Sequence, residues 1–219
     1  MDLVVLALIT LVASTVNGAL GYGFSSITVP VALLFYTNRI LNPALVLVEL
    51  VINGYVLFIN RKSIPTIWWR VAPILIGLLI GVAIGSYILS LVHPAWVKFV
   101  TYIMLLPLIL LQAAGIRKPI QAEKAIAIPF GVGIGTLYSV TTISGPPLAV
   151  LFNNQGYAKQ DFRAALGVIR VAEGVFTGIA YYFIGLYSYE SMAIIPYIIP
   201  SVLVGIPLGS YLIRLMDPE

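Results

Sequence analysis

The sequence predicts an all-α protein that crosses a membrane several times. Of its 219 residues, 60% are hydrophobic and only 9% are charged, whereas a soluble domain carries about 25% charged residues. Apolar runs of roughly 20 residues or more, long enough to cross a bilayer, recur from one end of the chain to the other. These runs are continuous rather than alternating, which argues against a β-barrel.

Composition also limits the chemistry that the chain can perform. It contains no cysteine and one histidine, so disulfides are excluded and a zinc site is not expected. The net charge of +4 is spread over short loops, where it bears on membrane orientation rather than on nucleic acid. We therefore expect the lipid bilayer as a partner, and no metal, cofactor or nucleic acid.

Seven apolar runs define the predicted membrane segments: 3–36, 40–60, 67–91, 95–114, 122–157, 164–186 and 192–215. The first and fifth runs are too long for one crossing, and glycine and polar residues interrupt them. Each is expected to be a broken or re-entrant helix pair, whose backbone must be satisfied by protein or by a water-lined cavity. The arm 3–16 would span about 21 Å as a helix, less than a full bilayer.

The chain also repeats itself. Unusual residues recur 124 positions apart: Arg39 and Arg163, Glu49 and Glu173, Gly54 and Gly178, and Gly85-Ser86-Tyr87 and Gly209-Ser210-Tyr211. The stretches SSITVP and TTISGP match at an offset of 116. We predict two homologous membrane repeats, 1–116 and 117–219, the second of which lacks its last segment.

The distribution of positive charge favours inverted repeats. If the first and fifth runs each cross the membrane once, the loop Lys and Arg residues divide six against five. If each run returns to the side from which it entered, they divide nine against two, which is the bias that the positive-inside rule requires. This arrangement places the N-terminus outside and the loops 61–70, 115–124 and 157–163 in the cytoplasm.

The polar stretches at the two breaks are candidates for an anion site. SGPP suits a restarting helix, whose N-terminus would present free N–H groups and the positive end of its dipole to an anion. Hydroxyl groups would add donors. The predicted substrate-binding residues are Ser25, Ser26, Thr28, Thr141, Thr142, Ser144, Gly145 and Arg170. The alternative is that glycine and proline only kink the helices and that the hydroxyls bond their own backbone.

Three charged residues fall inside apolar runs, where a charge at the bilayer centre costs about 2.5–3.5 kcal/mol. Arg170 and Glu173 are three residues apart and can share a helix face, so they could form a structural ion pair. Alternatively, Arg170 is a counter-charge for the anion and Glu49 or Glu173 carries a coupling proton. Arg39 and Arg163 lie at the mouths of their segments, as interfacial anchors or as gating residues.

Small residues at every fourth position predict close packing between helices. They are Gly77, Gly81 and Gly85 in the third run, and Ser201, Gly205 and Gly209 in the seventh. We interpret them as packing positions rather than as binding positions.

These features together resemble the TauE/SafE (TSUP) family of sulfite and organosulfonate exporters. The resemblance is carried by the glycine-rich first segment leading to Pro30, by SGPPLAVLFNNQGYAKQDFRAALG (144–167), and by the glycine-rich third and seventh segments. It spans essentially the whole chain. It implies transport of small sulfur-containing or carboxylated anions across a bacterial inner membrane.

The leading hypothesis is therefore a secondary transporter, an exporter, that binds its anion between two broken helices near the membrane midplane and works by alternating access. The chain has no GxxxxGK[ST] motif, so coupling would be to an ion gradient, with protons as the candidate, or to a partner. An intramembrane enzyme and a structural subunit of a larger complex are the alternatives, and a homodimer stays open. No catalytic residue is predicted, because the one histidine lies far in sequence from Ser144.

Overall fold

The structure is a computed structural model that describes residues 2–113 and 123–216. The regular structure in these ranges is helical, which confirms the predicted all-α class. The helices are α1 (Asp2–Leu20), α2 (Phe24–Ala32), α3 (Asn38–Ile59), a 3-10 turn (Arg61–Ser63), α4 (Ile64–Leu91), α5 (Pro94–Ala113), α6 (Glu123–Thr141), α7 (Gly145–Asn154), α8 (Lys159–Phe183) and α9 (Tyr189–Met216). The predicted repeat boundary at 116/117 and the loop residues Arg117 and Lys118 lie outside the described residues.

Five of the described helical segments are long and apolar enough to cross a membrane: Asp2–Leu20, Asn38–Ile59, Arg61–Leu91, Gln160–Phe183 and Tyr189–Ile213. The outward surface of α1 is apolar, since Val4, Leu8 and Val12 are exposed at helical spacing. Its polar residues Ser14 and Asn17 are instead buried. An apolar exterior around a partly polar interior suits lipid rather than water, so the chain is a multi-pass membrane protein.

Both long apolar runs are divided into two helices. Gly21 and Gly23 separate α1 from α2 with φ angles of 85° and 109°, a left-handed region that glycine adopts readily. Thr142, between α6 and α7, has a φ of 58°, which is uncommon for a β-branched residue. Helix α1 continues to Leu20, beyond the expected arm 3–16, and is therefore about 28 Å long.

Small residues bring two pairs of helices into close contact. A Cβ atom added to Gly77, Gly81 or Gly85 of α4 would overlap atoms of α6, and one added to Gly205 or Gly209 of α9 would overlap atoms of α1. The predicted packing role of these glycines is confirmed. Each pair joins a helix from one predicted repeat to a helix from the other, so the helices of the two repeats interleave.

The helices form a row in the order α1, α9, α3, α8, α4, α6. Residues later in α4 contact residues later in α6, and the same holds for α1 and α9. Each of these two pairs is therefore parallel. In the centre of the row, Gly167 of α8 lies against Leu57 of α3, and Gly178 lies against Val46. Helices α3 and α8 are therefore antiparallel.

Helices α1 and α3 begin at the same end of the bundle. Burial and the nearby carboxylate of Asp2 raise the pKa of Tyr36, which lies just before α3. Asn42, near the start of α3, donates a hydrogen bond of 2.7 Å to the carbonyl of Val140 at the end of α6. Because α3 and α8 are antiparallel, α6 runs in the same direction as α8, just as α1 runs with α3.

Candidate anion site

Glu49, near the middle of α3, is the centre of a buried polar cluster. Its Oε1 accepts hydrogen bonds from Ser25 Oγ and from Arg170 Nη2, each at 2.7 Å. Its Oε2 accepts a hydrogen bond of 3.0 Å from the hydroxyl of Tyr138. Three helices, α2, α8 and α6, thus each direct one donor to a single carboxylate. The side chains of Arg170 and Glu49 are only 2% and 1% exposed, a burial that charged groups tolerate only when paired.

Glu173, near the middle of α8, accepts fewer hydrogen bonds than Glu49. Its Oε2 accepts a hydrogen bond of 2.6 Å from Ser144 Oγ, while its Oε1 is buried and has no hydrogen-bond partner in the part of the chain that the structure describes. The predicted pairing of Arg170 with Glu173 is wrong, because the ion pair that Arg170 makes is with Glu49. The long arginine side chain reaches across the α3–α8 interface instead of along its own helix.

Arg170 is only partly satisfied by that ion pair. Its Nε and Nη1 atoms are buried and have no hydrogen-bond partner among the described residues. A guanidinium has five N–H donors in a planar fork, so Arg170 keeps donors available for an acceptor that lies beside it. Buried unsatisfied donors of this kind call for a functional explanation.

The two helix breaks meet at Arg170. A Cβ atom added to Gly145, the first residue of α7, would lie 3.4 Å from Tyr22 and 3.7 Å from Arg170 Nη1. Tyr22 belongs to the break between α1 and α2. The absence of a side chain at Gly145 therefore leaves space between the break of the first run and the guanidinium group.

Each carboxylate lies against the N-terminal end of a short helix. Ser25, which donates to Glu49, is in the first turn of α2, and Ser144, which donates to Glu173, immediately precedes α7. The positive end of a helix dipole favours negative charge at this position. The protein's own carboxylates thus lie where the sequence predicts an external anion.

The prediction that α7 begins with several free backbone N–H groups is wrong. Pro146 and Pro147 have no N–H group, and the N–H of Leu148 already donates to the carbonyl of Ser144 at 3.1 Å. Only Gly145 remains as a backbone donor in the first turn of α7. In α2 the first such bond is made by Ile27, so the three preceding N–H groups have no partner within the helix.

The two polar stretches also differ in position, so matching them at an offset of 116 is wrong. SSITVP lies inside α2, whereas TTIS ends α6 and fills the break before α7. Thr141 donates to the carbonyl of Leu137 at 2.7 Å, and Thr142 donates to the carbonyl of Thr141 at 2.7 Å. These two hydroxyls bond their own backbone, which was the alternative interpretation.

The remaining hydroxyls predicted for the site lie in α2. Ser26 is partly buried in the first turn of the helix. Thr28 is fully buried, and its hydroxyl has no hydrogen-bond partner among the residues that the structure describes.

The two arginines at the mouths of their segments cap helix ends. Arg39 donates from Nε to the carbonyl of Leu89 at 3.0 Å and from Nη2 to that of Ser90 at 2.6 Å, at the C-terminus of α4. Arg163 donates to the carbonyl of Ala19 at 3.1 Å, at the C-terminus of α1. A cation is favourable at the negative end of a helix dipole.

Four residues near the site were not predicted from the sequence: Asn17, Tyr22, Asn53 and Tyr138. A tyrosine or asparagine within an apolar run is easily interpreted as a core residue. The sequence did contain a signal for two of them. Asn17 in α1 and Tyr138 in α6 are both polar and lie equally far from the start of their helices, and these two starts are 121 positions apart.

An apolar exterior and a buried cluster of charged and hydroxyl groups define a multi-pass membrane protein with an internal polar site. A family model described as sulfite exporter TauE/SafE matches residues 6–219. The chain therefore belongs to the TauE/SafE family of membrane transporters, as its motifs indicated. No curated protein and no solved structure gives a significant match.

Proposed function

We propose that the protein is a secondary transporter, an exporter of small anions such as sulfite, sulfonates or related organic acids, and that Arg170 holds the anion. The observation that carries this proposal is a buried guanidinium with donors to spare on Nε and Nη1. A guanidinium fork matches two oxygens of an oxyanion or a carboxylate. Gly145 would provide the backbone donor on the α7 side of the anion, and the Ser144 hydroxyl would turn to the anion when Glu173 is protonated and no longer requires it.

The anion would bind between two inverted repeats that each begin with a re-entrant helix pair. Helix lengths support this arrangement: α1 to α4 have 19, 9, 22 and 28 residues, and α6 to α9 have 19, 10, 25 and 28. Helix directions support it as well, because α3 is antiparallel to α8, and each lies parallel to the first helix of its own repeat. Transporters commonly bind substrate where such repeats meet, and rock one repeat against the other to alternate access.

Charge balance at the site favours protons as the coupling ion. Arg170 and Glu49 neutralise each other, so the charge of the cluster depends on Glu173. With Glu173 ionised the cluster is negative and repels an anion, whereas with Glu173 protonated it is neutral. In this proposal, Glu173 takes up a proton when the anion binds at Arg170 and releases it with the anion, so that an outward anion gradient drives export and protons accompany the anion.

The proposed location is a bacterial inner membrane, with the N-terminus outside. Arg61 and Lys62 follow the end of α3, and Arg163 lies at the same end of the bundle because α8 begins there. Arg39, at the start of α3, lies at the opposite end. This segregation is consistent with the nine-against-two division of positive charge, and by the positive-inside rule it supports a cytoplasmic location for the ends of α1 and α3.

Flux in proteoliposomes tests the proposed function. Sulfite, an alkanesulfonate and a small carboxylate are supplied in turn, with and without an imposed pH gradient. We expect flux of at least one of these anions, driven by the gradient. No flux of any of them from folded protein would reject the proposed substrate class.

Gly145→Val is the variant that tests the site itself. Its branched side chain would fill the space between Tyr22 and Arg170, so we expect flux to fall to background while the protein still inserts and folds. Gly145→Ala is the matched control, because its Cβ would make only ordinary van der Waals contacts, and it should retain most of the flux. Normal flux in Gly145→Val would mean that the anion binds elsewhere.

A further inference from the structure

A polar cleft lies at the end of the bundle where α1 and α3 terminate. Helices α1, α3, α8 and α9 surround it, with a cavity volume of about 60 Å³, several times the roughly 10–15 Å³ that one water requires. Its polar lining comprises Asn17, Tyr55, Asn60, Arg163 and Ser210. Among the described residues of this lining, Arg163 is the charged one, so the described part of the cleft has a positive charge.

Asn17 is the most unusual residue of the cleft. Its side chain is 1% exposed, yet neither Oδ1 nor Nδ2 has a hydrogen-bond partner among the described residues. Leaving both groups of a buried amide unpaired is unfavourable. An asparagine in an apolar helix that lines a cleft beside an arginine indicates a polar ligand, to which Nδ2 and the guanidinium group would donate.

Further donors connect the cleft with the central site. Arg163 and Arg170 are seven residues apart, so they lie on one face of α8 about 10 Å apart along its axis. Asn53 of α3 is buried, and no described residue makes a hydrogen bond to its Nδ2. The contacts of Leu57 with Gly167 and of Leu50 with Gly174 bracket Asn53, which places it opposite Arg170. An anion leaving the cleft would therefore meet one N–H donor after another.

Aromatic side chains cover the central site toward the opposite end of the bundle. Tyr138 and Tyr181 are completely buried there and pack with Tyr187 and Leu186. The hydroxyl of Tyr181 donates to the carbonyl of Ser139. The cleft, by contrast, offers a polar approach to the central site.

We propose that this cleft is a second anion-binding site, through which the substrate reaches Arg170, and that Asn17 and Arg163 are its ligands. The proposal rests on the proposed transport function and extends it to residues outside the central site. The ligand is a small oxyanion, because the lining offers amide and guanidinium N–H donors around a volume too small for a large organic acid. On the proposed orientation, the cleft opens to the cytoplasm.

Because the chain contains no cysteine, single-cysteine variants can test the cleft directly. Asn17→Cys is treated in membrane vesicles with an anionic sulfonate-bearing methanethiosulfonate and with its cationic trimethylammonium analogue. Each rate is divided by that of the same reagent with a free thiol. We expect Asn17→Cys to react from the side that labels Lys62→Cys and not from the side that labels His93→Cys. We also expect at least a fivefold preference for the anionic reagent.

Two controls make this experiment decisive. Val12→Cys, on the lipid-facing side of the same helix, should not react with either impermeant reagent. Before modification, Asn17→Cys must insert and remain stable in detergent. No reaction from the Lys62 side, or no preference for the anionic reagent, would overturn the proposal.

A transport measurement with Asn17→Leu separates the cleft from the central site. We expect KM for the anion presented on the Lys62 side to rise at least threefold while kcat changes less, because binding and not translocation is affected. An unchanged KM in a protein that transports normally would overturn the cleft as a binding site. If the unmodified protein transports no tested anion but Asn17→Cys still prefers the anionic reagent, the proposed function fails and the anion site remains.

Discussion

Glu49 and Glu173 lie 124 residues apart in the two halves of the chain, near the middle of α3 and of α8, and yet their surroundings differ. Glu49 accepts three hydrogen bonds, one of them from a cation. Within residues 2–113 and 123–216, Glu173 accepts one hydrogen bond, and its second oxygen has no partner. The comparison teaches that one carboxylate is held in place as part of the structure while the other keeps the capacity to change its proton or its partner.

If the two halves are aligned as the proposed repeats, two residue differences account for this asymmetry. The position 124 residues before Arg170 is occupied by Val46, which cannot donate to Glu173. The position 121 residues before Tyr138 is occupied by Asn17, whose side chain is shorter. Glu173 therefore lacks counterparts of the two donors that Arg170 and Tyr138 supply to Glu49. The space that a tyrosine would fill at position 17 is part of the polar cleft.

The largest effect is expected from Arg170→Met. This change leaves the Glu49 carboxylate buried without its cation, which typically costs about 3–5 kcal/mol. We expect a large drop in thermal stability in detergent and complete loss of anion flux.

The double variant Glu49→Gln with Arg170→Met separates these two losses. It removes both charges, so most of the stability should return while flux stays absent. Restored flux in the double variant would show that Arg170 only balances Glu49 and does not hold the anion.

The next effect concerns the coupling of protons to anion flux, and it distinguishes Glu173 from Glu49. Glu173→Gln keeps the shape and the acceptor for Ser144 but cannot exchange a proton. We expect anion-gradient flux to continue and to lose its dependence on pH. In the unmodified protein, flux should rise as pH falls on the side from which the anion binds, by at most about tenfold per pH unit for one required proton.

Glu49→Gln is the matched control for that measurement. It should lower stability, because Arg170 loses its counter-charge, and the pH dependence of the remaining flux should persist. If Glu49→Gln abolishes the pH dependence and Glu173→Gln does not, the roles of the two carboxylates are the reverse of those proposed here.

The membrane class, the positions of the helix breaks and the buried charges could be predicted from the sequence, because composition, glycine and proline determine them locally. The partner of Arg170 could not. A spacing of three residues indicates a shared helix face with Glu173, but it says nothing of Glu49, which lies 121 residues away and meets Arg170 only through packing of α3 against α8. Letter similarity also misaligned SSITVP with TTISGP, because position relative to a helix start is a property of the folded backbone.

A smaller effect is expected at the closed end of the bundle. Tyr138→Phe removes one of the three donors to Glu49 with little change in volume, and a hydrogen bond to a charged group contributes about 1.5–3 kcal/mol. Tyr181→Phe, which removes a donor to the backbone carbonyl of Ser139, is the control and should cost about 0.5–1.5 kcal/mol. Equal thermal shifts for the two variants would mean that Tyr138 is an ordinary core residue and that Glu49 does not depend on it.

The smallest effect compares the two serines and tests the asymmetry most directly. Ser25→Ala removes a hydrogen bond to a charged group but leaves Glu49 with Arg170 and Tyr138, so we expect a loss of stability of about 1.5 kcal/mol, the low end of the range for such a bond. Ser144→Ala leaves Glu173 without any of the donors seen among the described residues, so its loss should be the larger of the two and should be accompanied by a higher KM for the anion. Thr141→Ala, whose hydroxyl bonds only backbone of its own segment, should leave KM unchanged and serves as the baseline. Thermal unfolding in detergent and proteoliposome flux measure all three variants, and an effect of Ser25→Ala equal to that of Ser144→Ala would mean that the two carboxylates are equivalent after all.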